Sequence, residues 1–286
     1  MVKNEEFWKV FEQTGDIKDY LNYTACTRER ESLKLKRRLG MTGTVTVTGI
    51  VLATIPIGDY DKRLTILTKE RGKIGAFAKG ARRPNSALLA CSQPFTFGEF
   101  QLYEGRNSFN IQSVNIKNYF GELREDMSHV YYGLYFCEFI DYMTREGNDE
   151  TEMLKLLYQS LRALLNPHIG TKLVRYIFEL KIICLGGEAP QVFECLNCGT
   201  KENLSRFSAS AGGCFCEGCR QKAMDGIRIQ TSTLYTLQYI ISADAQKLYN
   251  FTVTEEVFRE LKQCIDSYRE ERIEHRMKSL ELLSIL

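Results

Sequence analysis

The chain has 286 residues, 44% of them hydrophobic, enough to bury a core in one large domain or in two to three small ones. The first twenty residues mix acids, bases and apolar residues without a run of signal-peptide length. No stretch approaches the roughly 18 apolar residues of a membrane helix, since even YYGLYFCEFIDYM is broken by Glu138 and Asp141. Ten cysteines in a chain read as unsecreted point to a reducing compartment, where close thiol pairs bind metal more often than they form disulfides; a cytoplasmic location is expected. The net charge of +2 conceals a division: Met41 to Phe120 carries ten Lys and Arg against five Asp and Glu, whereas Gly121 to Leu286 carries nineteen against twenty-four.

The first 40 residues are charged and only weakly amphipathic around Phe7, Trp8 and Phe11. Lys36-Arg37-Arg38 can be encoded as AAA-AGG-AGG, a purine run like a bacterial ribosome-binding site, two codons before Met41. Residues 1–41 are therefore expected to be an extension outside the native protein, set against an ordinary N-terminal helix.

Residues 42–120 read as strands. TVTVTGIVLATI, RLTILT, KIGAFAKG, FTFGEFQLY and FNIQSVNI are rich in Val, Ile, Thr and Phe and are separated by Gly, Pro, Asp and Asn. Five strands in so short a length predict a small closed barrel, of which the oligonucleotide-binding (OB) type is one of few compact versions. From Gly121 the apolar period lengthens to that of helices, expected over about 123–144, 150–165, 172–185, 232–248 and 254–268. The fold class is α+β, a barrel domain followed by a helical domain over 121–286.

Cys195-Leu-Asn-Cys198 and Cys216-Glu-Gly-Cys219 enclose seventeen residues, the spacing of a zinc ribbon. Two residues between thiolates let both sulfurs reach one ion, and two such knuckles complete a tetrahedron with no open position. One structural Zn2+ on Cys195, Cys198, Cys216 and Cys219 is expected within about 192–221. Cys214, one residue from Cys216, is expected to stay free. A redox-active pair of CxxC motifs is the competing reading. His129, His168 and His275 lie singly along the chain and give little support to a mixed metal site or a hydrolytic triad.

The densest positive segment holds Lys62, Arg63, Lys69, Arg71, Lys73, Lys79, Arg82 and Arg83, with Glu70 its one acid. A net of +7 over 22 residues fits neutralisation of nucleic-acid phosphates better than a solvated surface. Phe77 or Tyr103 are candidates to stack bases. No Walker A loop, GxGxxG after a strand, HExxH or GxSxG is present, so no motif speaks for phosphoryl transfer, nucleotide cofactors or covalent hydrolysis, and a protein that is not an enzyme is expected.

The ordered set Gly49-Ile50-Val51-Leu52, Asp61, Leu64 to Thr68, Gly72-Lys73-Ile74, Lys79-Gly80-Ala81-Arg82, Ser86 and Pro94-Phe95 resembles the N-terminal domain of the bacterial RecO recombination mediators. The likeness continues to Gly187, Gly212-Gly213 and the cysteines, with Asp59 where the family more often has Glu and Cys214 where an apolar residue is usual. The resemblance implies an OB-fold DNA-binding barrel and a helical domain interrupted by a four-cysteine zinc finger. It also implies binding of single- and double-stranded DNA, annealing of complementary strands, and action with RecR to load RecA onto strands coated with single-strand-binding protein, in the bacterial cytoplasm at the nucleoid. Family members take the acidic, apolar-ended tail of single-strand-binding protein, for which Lys172 and Arg175 are candidates against an ordinary exposed helix face. The alternative function is a zinc-ribbon scaffold that binds RNA or protein without annealing.

Overall fold

The structure, a computed structural model, describes residues 43–105 and 108–283. The expected extension at 1–41 lies outside these residues.

Five strands follow one another: β1 (Gly43–Ile57), β2 (Asp61–Thr68), β3 (Gly72–Ala78), β4 (Phe97–Glu104) and β5 (Phe109–Asn118). They close in the order β1-β2-β3-β5-β4, all antiparallel except the β3–β5 seam. This is the five-stranded OB barrel expected from the alternation. Inward positions Val47, Val51, Leu64, Ile66, Ile74, Ala76, Phe100, Leu102 and Ile111 fill it. β1 serves two neighbours, pairing through Gly49 and Ile50 with both β2 and β4. Gly49 permits this crossing, because a Cβ there would stand 2.5 Å from the Leu67 carbonyl oxygen. A short helix α1 (Leu88–Cys91) joins β3 to β4.

Beyond a 3-10 turn at Gly121–Glu125 come helices α2 (Met127–Met143), α3 (Thr151–Leu164) and α4 (Thr171–Leu185). The first helix starts later than its periodicity suggests because Asp126 turns extended and its carboxylate accepts the Ser128 N–H at 2.8 Å, an N-cap. α4 is buried on nearly every side, as a helix apolar all round must be. Phe178 on α4 stacks on Phe136 of α2 at 4.2 Å. The barrel's Ile50, Leu52, Leu67 and Phe95 belong to the same core as these helices, so the barrel is docked on them rather than tethered.

After α4 come β6 (Leu204–Ser208), β7 (Gly213–Cys216), a 3-10 turn at Glu217–Lys222 and β8 (Ile227–Arg228), a small sheet in the order β7-β6-β8. Helices α5 (Thr231–Ser242), α6 (Glu255–Arg272) and α7 (Lys278–Leu283) complete the chain. α5 stops six residues before the expected Leu248. The carbonyls of Ile241 in its last turn and of Ala243 just past its end accept the buried Lys181 ammonium of α4 at 2.8 and 2.7 Å, a tertiary cap that spacing cannot reveal. α6 runs four residues past the expected Tyr268. α7 was not expected; the Glu138 carboxylate on α2 accepts the N–H groups of Lys278 and Ser279 at its start.

Candidate nucleic-acid interface and metal centre

The eight cations of the basic segment fall into two groups. Lys62 and Arg63 on β2 and Lys79, Arg82 and Arg83 after β3 gather at the β1–β2 hairpin tip. Two strong contacts lock that tip to the β3–α1 loop: the Asp61 carboxylate accepts the Gly80 N–H at 2.7 Å, and the Tyr60 carbonyl accepts the Arg82 N–H at 2.8 Å. Arg82 adds a guanidinium hydrogen bond to the Gly58 carbonyl at 3.1 Å, and Arg83 lies over the Tyr60 ring at 5.1 Å. Five cations against Asp59 and Asp61 leave this end at a net of +3. Arg63, Lys79, Arg82 and Arg83 are exposed. Lys62 instead turns its ammonium to the Ser92 carbonyl at 3.2 Å, and burial, with Arg82 close by, lowers its pKa.

Lys69, Arg71 and Lys73 sit at the other end of β2 and β3. Lys69 is exposed. Arg71 forms a two-pronged contact with Glu104 at 3.2 and 3.3 Å and lies over Phe109. Lys73 pairs with Asp141 of α2 at 2.9 Å, so this lysine pins the barrel to the helices. Arg175 is likewise committed: on α4 it meets the fully buried Glu179 at 2.7 Å, within a network that includes Tyr135, Arg269 and Asp266, while Lys172 stays exposed. The Arg175–Glu179 pair is an i,i+4 contact that helix spacing offers, but for Arg71 and Lys73 spacing does not show which acid folds against them.

The outward face between these ends is ordered by register. Ile55 stands opposite Arg63, Arg63 opposite Phe77, Phe77 opposite Asn110, and Asn110 opposite Tyr103. Phe77 and Tyr103, the two aromatics singled out in the sequence, therefore share one row across the barrel. Tyr60, at the tip, carries no such signal in the sequence because it lies in a turn, outside any strand pattern.

The four cysteines converge. Cys195 and Cys198 lie on the loop before β6, and Cys216 and Cys219 at the end of β7 and in the turn after it; their sulfurs lie within 4.8 Å of one another, close enough to hold a metal ion. Burial would push the Cys195 thiol up, but backbone N–H groups of Cys216, Cys198 and Asn197 aim at its sulfur and hold it down at about 6. The Thr200 N–H pulls Cys198 down and the Asn197 amide pulls Cys219 down, but hydrogen bonds with the neighbouring sulfurs outweigh them and raise both thiols. The Asn197 amide donates to the Cys219 sulfur at 3.2 Å. Cys214 is outside the quartet, and burial raises its thiol to about 12. The histidines do not approach the cluster's chemistry: His129 lies 3.8 Å from Asp126, His275 stacks on Tyr142, and the His168 N–H bonds Asn166.

Residues 41–120 match the family model described as Recombination protein O N terminal, and residues 124–281 match Recombination protein O C terminal. The chain belongs to the RecO family of DNA repair proteins. It is 33% identical to the DNA repair protein RecO of Alkaliphilus metalliredigens (strain QYMF) over 221 residues, 77% of this chain and 90% of that one. It is 33% identical to the DNA repair protein RecO of Bacillus subtilis (strain 168) over 223 residues, 78% of this chain and 87% of that one. The N-terminal RecO match contains the whole barrel and its basic tip, and the C-terminal match contains the cysteine cluster. Among the described residues, no helix of this RecO-family chain is long and apolar enough to cross a membrane.

Proposed function

We propose that the chain is a DNA-binding recombination mediator that anneals complementary single strands and, with RecR, helps load RecA onto strands coated with single-strand-binding protein. It works without a catalytic site, in the bacterial cytoplasm at the nucleoid. The observation that carries this reading is the cation group at the barrel tip, held rigid by Asp61–Gly80 and Tyr60–Arg82 hydrogen bonds. A preformed positive surface releases condensed counterions from phosphates without first paying to order a loop. When it neutralises two backbones, their mutual repulsion falls and the bases themselves choose the partner. Arg63, Lys79, Arg82 and Arg83 are the primary phosphate contacts of this proposal, with Lys62 at their margin and Lys69 a further exposed cation at the far end of β2. Arg71 and Lys73 contribute to the field while their side chains serve Glu104 and Asp141.

Zn2+ on Cys195, Cys198, Cys216 and Cys219 is the cofactor proposed for the quartet. The donor set fits it: four soft sulfurs with backbone N–H groups already directed at one of them. Bound zinc would act as a cross-link, tying the loop before β6 to the end of β7. The residues themselves supply the rest of the ribbon, including the Asn197–Cys219 contact that joins the two knuckles.

The test is binding of labelled single- and double-stranded oligonucleotides over a salt series. The reading expects affinity to fall steeply with salt and the slope to shrink by about one for each tip cation removed. Salt-insensitive binding, or a slope unchanged in an Arg63, Lys79 and Arg83 alanine variant, would overturn the placement.

A further inference from the structure

The barrel tip exposes apolar surface where cations alone would serve a phosphate. Ile55 is 58% exposed, Tyr60 51% and Ile57 38%, all on the β1–β2 hairpin amid Lys62, Arg63, Lys79, Arg82 and Arg83. Isolated exposed apolar side chains are ordinary on a protein surface. Here they continue into the outward row of Arg63, Phe77, Asn110 and Tyr103, fixed by strand register. The row is kept low by Gly75, opposite Thr65 on β2, where the Arg63 guanidinium lies 3.3 Å from the position a Cβ would take. Tyr60 is presented rather than loose: the Arg82 N–H holds its carbonyl, and Arg83 lies over its ring at 5.1 Å.

Cations set beside π-faces, Arg83 on Tyr60 and Arg63 next to Phe77, match a polymer that carries both phosphates and unstacked bases. A duplex offers only its backbone and base edges, because its base faces are already stacked. We infer that Tyr60 and Phe77, with Ile55 beside Arg63, form a base-stacking track that makes the barrel favour single-stranded over double-stranded DNA. The cations supply affinity for any phosphate backbone, and the track adds a contact that only unpaired bases can make. The Arg83 guanidinium backs the Tyr60 ring as a cation–π partner, so a base on that ring joins an existing stack. The inference rests on the DNA-binding reading above and names the part of the strand that this face takes.

The test compares two labelled single strands of equal length, about 16 nucleotides, one of thymidine nucleotides and one fully abasic, at several salt concentrations. The intact chain is expected to bind the thymidine strand about ten-fold more tightly, with the same salt slope for both. Tyr60→Ala with Phe77→Ala is expected to remove that preference while keeping the slope, and Tyr60→Phe to keep both. Equal affinity of the intact chain for the two strands, or a preference that survives the double variant, overturns the track and leaves phosphate binding standing. Absence of salt-dependent binding to either strand overturns the DNA reading itself and the track with it.

Discussion

The Arg63 guanidinium lies across Gly75, 3.3 Å from where a Cβ at that glycine would stand. A cation on β2 is thus laid along the outward face of β3, beside Phe77, because its neighbour has no side chain. Gly75→Val is expected to lift Arg63 from this position. A β-branched residue suits a strand, so thermal unfolding should shift little. Salt-series titration with a single-stranded oligonucleotide should show weaker binding and a slope reduced by up to about one.

The buried Glu179 receives the Tyr135 hydroxyl at 2.6 Å and the Arg175 guanidinium at 2.7 Å, with Arg269 at 3.9 Å. Removing the carboxylate takes away the buried acid of the cluster and leaves two half-buried guanidinium groups sharing Asp266. Glu179→Ala is expected to cost about 3–5 kcal/mol, read as a lower denaturant midpoint with its slope unchanged. Arg175→Met in the same background should recover part of that loss, since it leaves Arg269 as the one guanidinium on Asp266.

Asp225 closes the β6–β7 turn by accepting the Ser208 hydroxyl and the Ser210 N–H. Burial works against its charge, but these hydrogen bonds outweigh it and hold its pKa at about 2, below the usual 3.8. A carboxylate depressed in the folded state contributes stability that is fully present above its unfolded pKa and is lost as pH falls through the folded one. The turn should therefore weaken between about pH 4 and pH 2, by no more than about 1 kcal/mol given its exposure to solvent. Hydrogen exchange at Ser210 and Ala211 over that range checks this, and Asp225→Asn should abolish the dependence.

The cysteine quartet predicts one zinc per chain by elemental analysis. Cys198→Ser or a strong chelator should remove the metal and loosen residues 192–221, seen as lost amide protection there. Cys214→Ala should keep a full equivalent of metal, because that sulfur lies outside the cluster. Loss of zinc with unchanged protection would remove its structural role.

The parts of this molecule that were legible in the sequence are those governed by local period and spacing. Alternation in GTVTVTGIV and RLTILT marked the barrel strands, and the two CxxC pairs marked the cluster that folding assembles. What escaped depends on residues far apart in the chain. Lys73 reads as a free cation until Asp141 arrives 68 residues later, whereas the Arg175–Glu179 pair is an i,i+4 contact that spacing does offer, and only its second acid, Asp266 of α6, is distant. The end of α5 is set by Lys181, and α7 is capped by Glu138, the acid whose visible role was only to interrupt an apolar run. The row from Ile55 to Tyr103 exists only once strand register is fixed.

The most direct measurement of the mediator role is annealing of complementary oligonucleotides coated with single-strand-binding protein. The intact chain is compared with a variant carrying Arg63→Ala, Lys79→Ala and Arg83→Ala, which leaves the Asp61–Gly80 and Tyr60–Arg82 hydrogen bonds in place. The account predicts acceleration by the intact chain that is lost in the variant while its fold is retained. No acceleration by the intact chain, or equal acceleration by the variant, would contradict it.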